Sequence, residues 1–329
     1  MKVTVVAPSN IAFIKYWGTR DEESTLPYNP SISMTLSTCI SRCTVEHLPG
    51  TDSVEVLWRR RGELAPAPAN FASGVERHLA RLRESFGVPG GFRVAAENSF
   101  PTAAGMASSA SGFAALTLAT AGALGRELES AEASILARRS GSGSAARSVL
   151  GGYVEWPSQS GSEEAEQIAP AADWPLSNVV AVVSSEPKAI SSREGHRRAP
   201  GSPLFDGRMQ AIPDRLRTVR QAIEERNISL LGPTIEEEAI ELHMIAMSSS
   251  PPIVYWTAGT LSVLRHVRAL RDAGLSAYAT IDAGPNVHVI CPSEEEANVA
   301  RALGQLDDVE TVIRDRVGPG PYVTENHVA

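Results

Sequence analysis

The chain has 329 residues, of which 43% are hydrophobic, 21% charged and only 5% aromatic, and its formal net charge is −8 at pH 7. That length buries a sizeable core in one large or two moderate domains, and the ordinary apolar and charged content excludes disordered, collagenous and coiled-coil classes. The acidic balance argues against a nucleic-acid partner held by bulk basicity, but leaves room for a small anionic substrate met by a few local arginines.

Residues 2–6 alternate as a short strand, 31–47 form a β-rich segment, and 52–59 alternate again. Phe71, Val75, Leu79, Leu82 and Phe86 step by three and four, which predicts an amphipathic helix. Residues 92–98 read as a strand, after which small residues from Phe100 lead into an alanine-rich helix reaching Gly125. A helix over 129–139, a turn at 141–144 and an exposed Ser-, Gly-, Glu- and Ala-rich loop over 158–175 follow. The apolar run from Asn178 predicts a buried strand, and helical patterns cover 207–226, 233–247 and 257–273. Gly284-Pro285-Asn286 punctuates two apolar runs across 278–290, which predicts a hairpin. No internal repeat is visible, and a boundary near 177–185 divides two α/β halves.

Three cysteines, Cys39, Cys43 and Cys291, are too few for a disulfide framework and point to a reducing cytoplasm. Cys39, Cys43 and His47 have a spacing that invites zinc, but on a strand residues four apart stand roughly 13 Å apart, so a metal-free strand is the expectation. The apolar run at the N-terminus is too short for a signal segment, and Ala110–Gly125 falls short of a membrane span. Asn227-Ile-Ser matches a glycosylation acceptor by chance.

The strongest local signal for chemistry is Pro101-Thr-Ala-Ala-Gly-Met-Ala-Ser-Ser-Ala-Ser-Gly112. Small side chains before a helix leave backbone N–H groups open to an anion, and Ser108 and Ser109 offer hydroxyls to phosphate or magnesium; close helix packing explains the same residues equally well. No Walker A pattern occurs. Gly141-Ser142-Gly143-Ser144 with Arg147 is a second candidate anion site, with an N-cap beside a surface arginine as the plainer alternative. Lys15, in a run after the first strand, would ordinarily be solvated, and Asp282 at a strand end would ordinarily form a turn. Arg193, Arg197 and Arg198 cluster in a loop that either is a solvated face or closes over a phosphorylated substrate.

These stretches together resemble the diphosphomevalonate decarboxylase family of the GHMP kinase superfamily. The matching motifs, in order, are Ala7-Pro-Ser-Asn-Ile-Ala-Phe-Ile-Lys-Tyr-Trp-Gly, Asn98-Ser-Phe-Pro-Thr-Ala-Ala-Gly-Met-Ala-Ser-Ser-Ala, Gly141-Ser-Gly-Ser-Ala-Ala-Arg-Ser, Val183-Ser-Ser, Ser249-Ser-Pro-Pro-Ile, Ile281-Asp-Ala-Gly-Pro-Asn and Val317-Gly-Pro-Gly-Pro. The resemblance implies an α+β GHMP kinase fold: a ribosomal protein S5 domain 2-like half over 1–180, carrying an ATP phosphate loop at 101–112 and a substrate loop at 141–147, and a ferredoxin-like half over 181–329, carrying Asp282, with a deep cleft between them.

It also implies ATP-dependent decarboxylation of a phosphorylated mevalonate in isoprenoid biosynthesis. ATP phosphorylates the 3-hydroxyl, and loss of phosphate with the carboxylate gives an alkene, CO₂ and ADP. Carried over by motif, Asp282 takes up the hydroxyl proton and Lys15 stabilises charge. Tyr16, Ser142, Ser144, Arg147 and Arg193 bind substrate, and Gly105, Met106, Ala107, Ser108 and Ser109 bind ATP. Magnesium arrives through ATP and reaches Ser109. A homodimer in the cytoplasm, without nucleic-acid or membrane partners, is expected.

One departure stands out: where the family commonly reads Trp-Gly-Lys-Arg-Asp, this chain reads Trp17-Gly-Thr19-Arg-Asp. Loss of that lysine leans the expectation towards mevalonate 5-phosphate giving isopentenyl phosphate, with mevalonate 5-diphosphate giving isopentenyl diphosphate as the alternative. A mevalonate 3-kinase without decarboxylation and a ligand-binding protein on a decayed enzyme fold are the further alternatives.

Overall fold

The structure, a computed structural model, describes residues 1–100, 108–159, 162–186 and 188–329. The first half is built on a sheet of eight strands. Its central path is β14-β1-β4-β7-β5-β6, made of β1 (Lys2–Ile14), β4 (Ser31–Leu48), β5 (Val54–Arg60), β6 (Glu63–Pro66), β7 (Gly91–Asn98) and, from the far end of the chain, β14 (Tyr322–Thr324). β8 (Tyr153–Trp156) pairs with the start of β4, and β9 (Glu166–Ala169) pairs with β8. A two-stranded ribbon of β2 (Thr19–Asp21) and β3 (Leu26–Pro27) stands apart.

One face of the large sheet is covered by α1 (Ala69–Phe86), α2 (Ser108–Ala123) and α3 (Ser130–Arg138), which enclose Val5, Ala7, Val45, Phe92 and Val94. The predicted stripe on α1 faces inward, with Val75, Leu79, Leu82 and Phe86 buried, and Gly87 closes the helix at φ 64°. α2 is apolar all round and accordingly buried on nearly every side.

The second half carries a four-stranded antiparallel sheet in the order β11-β12-β10-β13, from β10 (Leu176–Val182), β11 (Tyr278–Thr280), β12 (Val287–Pro292) and β13 (Thr311–Arg316). The hairpin expected over 278–290 is the β11–β12 pair. Every residue of β10 is buried, because Val179 and Ala181 face α7 (Ala258–Asp272) and α8 (Glu296–Leu303) while Leu176, Val180 and Val182 face α5 (Phe205–Glu225) and α6 (Ile228–Ser248). α6 starts earlier than its apolar pattern, since the Asn227 side chain caps it by accepting the Leu230 N–H.

The halves share one core. Ile11, Phe13, Ile32, Met34 and Leu36 from the large sheet pack with Val180, Ile212, Leu216, Val219, Leu231 and Ile235. Backbone bonds sew the same seam: Gly318 N–H donates to Thr35 O at 2.9 Å, and the Asp315 carboxylate accepts the N–H groups of Ser37, Thr38 and Cys39 at 2.8–2.9 Å.

Two expectations are corrected. The stretch 158–175 is not a plain exposed loop: β9 runs through it, and Ala165 and Trp174 are buried. The arginine-rich stretch is a short helix, α4 (Ser192–Arg198), begun by Ser191, whose side chain accepts the Glu194 N–H. Cys39 and Cys43 lie on β4 as expected, and all three cysteines are buried and free. No helix among the described residues is long and apolar enough to cross a membrane.

Candidate active site

β1 carries a register shift against β4 between Ala12 and Ile14 and ends there. Lys15 therefore leaves the sheet with both its peptide groups bonded to side chains: its N–H donates to Glu238, and its carbonyl accepts from Asn29 and Arg208. The side chain is not solvated. It is 2% exposed, and Nζ donates to Asp282 Oδ1 and to Ala12 O, each at 2.7 Å. Burial pulls the Lys15 ammonium below its ordinary value against the opposing pull of Asp282. For Asp282, burial would push the carboxyl up, but the charge and hydrogen bond of Lys15, with Arg147 further off, hold it below the ordinary carboxylate value. Asp282, on the turn after β11, is thus an ionised acceptor that keeps 22% of its side chain open.

Arg147 sits in a 3₁₀ helix, Gly143–Val149, entered through Ser142. Its side chain is buried, and its described partners are neutral: Nη1 donates to Ser31 Oγ and Nη2 to Asn10 Oδ1 at 3.1 Å, while Nε meets no acceptor among the described residues. Asn10, on β1, fixes the same helix by donating to Ser144 O and Ser148 Oγ. A buried guanidinium without a bonded carboxylate is costly on its own, and that cost falls when an anion enters. Ser142 Oγ lies 3.1 Å from Ser109 Oγ at the start of α2, which brings the two predicted anion sites together. Gly105, Met106 and Ala107 lie outside the described residues.

Residues of α4 line the same region. Arg193 Nη2 donates to Gly141 O at 3.2 Å. The His196 ring stacks on Tyr16 at 3.9 Å, and its Nδ1 accepts the Gly18 N–H at 3.1 Å. Burial, with the charges of Lys188, Arg208 and Arg147, pushes this imidazole down to about 3, so it is neutral. Gly195 permits the docking, because a Cβ there would stand 2.3 Å from the Trp17 ring. Tyr16 OH pairs with Thr19 Oγ1 at 2.6 Å, and burial pushes its phenol up to about 12.

Lys15, Tyr16, Ser108, Ser109, Ser142, Ser144, Arg147, Arg193 and Asp282 all line one cavity of about 450 Å³. Sequence reasoning missed Arg77, Arg81 and Lys188, which line the same cavity. Lys188 Nζ donates to Ala283 O at 2.5 Å, beside Asp282, and burial pulls its ammonium down to about 8. A signal for it was present: among thirty cationic residues only Lys2, Lys15 and Lys188 are lysines, and two of these face the cavity. No group of three His, Cys, Asp or Glu side chains placed to hold a metal ion occurs among the described residues.

A family model for the diphosphomevalonate decarboxylase-like N-terminal domain matches residues 7–169, and one for the mevalonate 5-diphosphate decarboxylase C-terminal domain matches residues 178–318. The diphosphomevalonate decarboxylase of Candida albicans is 32% identical over an alignment of 358 residues, spanning 98% of this chain and 97% of that protein. A structure solved in complex with MVAPP, AMPPCP and magnesium has a TM-score of 0.90 at 33% identity, covering 99% of both chains. The mevalonate diphosphate decarboxylase of Staphylococcus aureus has a TM-score of 0.89 at 30% identity, covering 98% of both. The chain belongs to the diphosphomevalonate decarboxylase family, ATP-dependent decarboxylases on the GHMP kinase fold.

Proposed function

We propose that the chain converts mevalonate 5-diphosphate and ATP into isopentenyl diphosphate, CO₂, ADP and phosphate. The observation that carries this reading is the Lys15–Asp282 pair lining the same cavity as Arg147 and the Ser109–Ser142 hydroxyl pair. Phosphoryl transfer asks for in-line positioning and neutralised charge more than for covalent chemistry. Asp282 accepts the proton of the substrate 3-hydroxyl as its oxygen attacks the γ-phosphoryl group of ATP. Lys15 keeps that carboxylate ionised and offsets the charge that develops. The new 3-phosphate then leaves with its bonding electrons as the C–C bond to the carboxylate breaks, giving the alkene and CO₂.

Arg147, Ser142, Ser144, Tyr16 and Arg193 hold the substrate's diphosphate end, and Ser108 and Ser109 the nucleotide phosphates. ATP would enter as its magnesium complex, and Ser109 would offer its hydroxyl to the metal. AMPPCP with magnesium in the related structure supports a magnesium–nucleotide co-substrate.

The lean towards the monophosphate drawn from Thr19 is set aside. The relatives are named for the diphosphate, and Thr19 does not leave the site short of cations, since Arg77, Arg81, Arg193 and Arg197 line the same cavity. Comparing kcat/KM for mevalonate 5-diphosphate and mevalonate 5-phosphate by CO₂ release tests the reading. A preference for the diphosphate of roughly tenfold or more is expected. Equal or better use of the monophosphate, or ADP formed without CO₂, overturns it.

A further inference from the structure

The backbone of Lys15 is held by side chains rather than by a neighbouring strand. Glu238 Oε2, on α6, accepts the Lys15 N–H at 3.0 Å and Arg208 Nη2 at 2.9 Å. The same Nη2, on α5, donates to Lys15 O at 2.8 Å, while Nη1 donates to Asn29 Oδ1 at 3.0 Å. Asn29 Nδ2 donates to Lys15 O at 3.0 Å. The other Glu238 oxygen accepts Arg215 Nη1 at 2.6 Å. The Arg208 and Glu238 side chains are both wholly buried.

We propose that the buried Arg208–Glu238 pair, with Asn29, clamps the peptide groups of Lys15 and so positions its ammonium against Asp282. This rests on the reading above that Lys15 serves the reaction. A buried ion pair is weak evidence for stability, because desolvation offsets most of its attraction, so its presence calls for another account. Stapling the two halves is the simplest competitor. The Arg208–Glu238 pair lies within the second half, on α5 and α6, whereas an ion pair that itself crosses the halves already staples them without touching the site: Arg220, on α5, bonds Glu155, on β8, Nε to Oε2 at 2.8 Å. The Arg208–Glu238 pair differs in spending its hydrogen bonds on the N–H and the carbonyl of one residue. Burial would push the Glu238 carboxyl up, but Arg208, the Lys15 N–H and Arg215 hold it below the ordinary value, so the clamp is ionised. A displacement of about 1 Å at a reacting group costs up to about a hundredfold in rate, which sets the scale of the effect.

The test uses the full chain, Arg208→Lys, which keeps the charge opposite Glu238 but loses the planar fork, and Arg220→Lys as the control for a staple. With three lysines in the chain, labelling lysine with ¹³C at Cε alone gives one carbon resonance for each, and Lys15→Met identifies that of Lys15. Arg208→Lys is expected to lower kcat by roughly tenfold to a hundredfold, with KM for both substrates within about threefold, and to move the Lys15 resonance. In the Lys15→Met background the same substitution is expected to cost less than about twofold, because its effect passes through Lys15. Arg220→Lys is expected to change stability alone. The proposal is overturned if the losses multiply in the Lys15→Met background, or if folded Arg208→Lys keeps both kcat and the Lys15 resonance. Should Arg208→Lys not fold, Asn29→Ala removes one donor to Lys15 O and carries the same comparison. If the unsubstituted protein releases no CO₂ from mevalonate 5-diphosphate, the functional reading fails, while the Lys15 resonance still decides whether the clamp exists.

Discussion

Lys15 Nζ stands 2.7 Å from Asp282 Oδ1, both side chains line the cavity, and the carboxylate is the more exposed of the two, at 22% against 2%. The pair therefore presents its basic oxygen more openly than its cation. Asp282→Ala should lower kcat by about 10²–10⁴-fold while changing either KM only a few-fold. Steady-state kinetics with ADP and CO₂ followed together check this, and near-normal turnover would remove Asp282 from the chemistry.

The same geometry sets a pH dependence. A base held below the ordinary carboxylate value is already ionised at neutral pH, so activity should fall only on acidification below that ordinary value. Lys15→Met takes away the opposing charge and leaves the burial effect, which raises the pKa. The acid limb of its residual kcat/KM profile should move towards neutrality; an unmoved limb would show that Lys15 does not tune Asp282.

Arg147 keeps a buried charge among neutral partners, which an empty site makes costly. Arg147→Met should leave the melting temperature of the free protein unchanged or higher, yet raise KM for mevalonate 5-diphosphate by roughly tenfold to a hundredfold. Ligand at a hundred times Kd stabilises a protein by about 2.7 kcal/mol, and thermal melts with substrate should show this gain reduced at equal concentration. A variant that melts lower and keeps its substrate affinity would make Arg147 structural.

Acid should unfold the protein from within. His78, His243 and His288 are buried, and burial pushes the first two down to about 3 and the third to about 4. A lowered histidine pKa means that the unfolded chain takes up protons the folded chain refuses. The stability concerned is present above about pH 6.5 and is lost as pH falls towards the folded values, by about 2 kcal/mol for each ring at pH 5. Melting curves between pH 7.5 and 5 should drop steeply, and His243→Phe should flatten the slope.

Gly195→Ala should loosen α4, because the added methyl meets the Trp17 ring at 2.3 Å and the Tyr255 hydroxyl at 2.8 Å. A loss of about 1–3 kcal/mol in stability is expected. It should come with a higher KM for the mevalonate substrate, since Arg193 and His196 ride on the same helix. Calorimetry and kinetics on one preparation would separate the two effects.

The long elements were legible because their signals are local. The stripe on α1, the apolar run of β10 and the punctuated β11–β12 hairpin each carry their evidence within a few residues. α4 was not legible: its seven charged and small residues have no apolar period, and it forms because Ser191 caps it and Gly195 seats on Trp17, far away in the chain. β9 is likewise a four-residue strand that exists only as the partner of β8. Within the site, the spacing of Ser142, Ser144 and Arg147 identified one wall, and the family motifs pointed to Lys15 and Asp282. Nothing local could show that residues 267 positions apart would bond, or that Arg208 and Glu238 would take both peptide groups of Lys15.

The seam between the halves makes them inseparable as material. Two family models divide the chain between 169 and 178, yet Ile11, Phe13, Ile32 and Met34 find their packing partners on α5, α6 and β10. A fragment stopping at 177 would turn that apolar row to water and aggregate, and the remainder would do the same from its own side. Chimaeras that join the first half of this chain to the second half of a relative would face the harder demand of matching an interior packed as densely as a crystal. Exchange between such enzymes should therefore succeed at surface loops and fail at the middle of the chain.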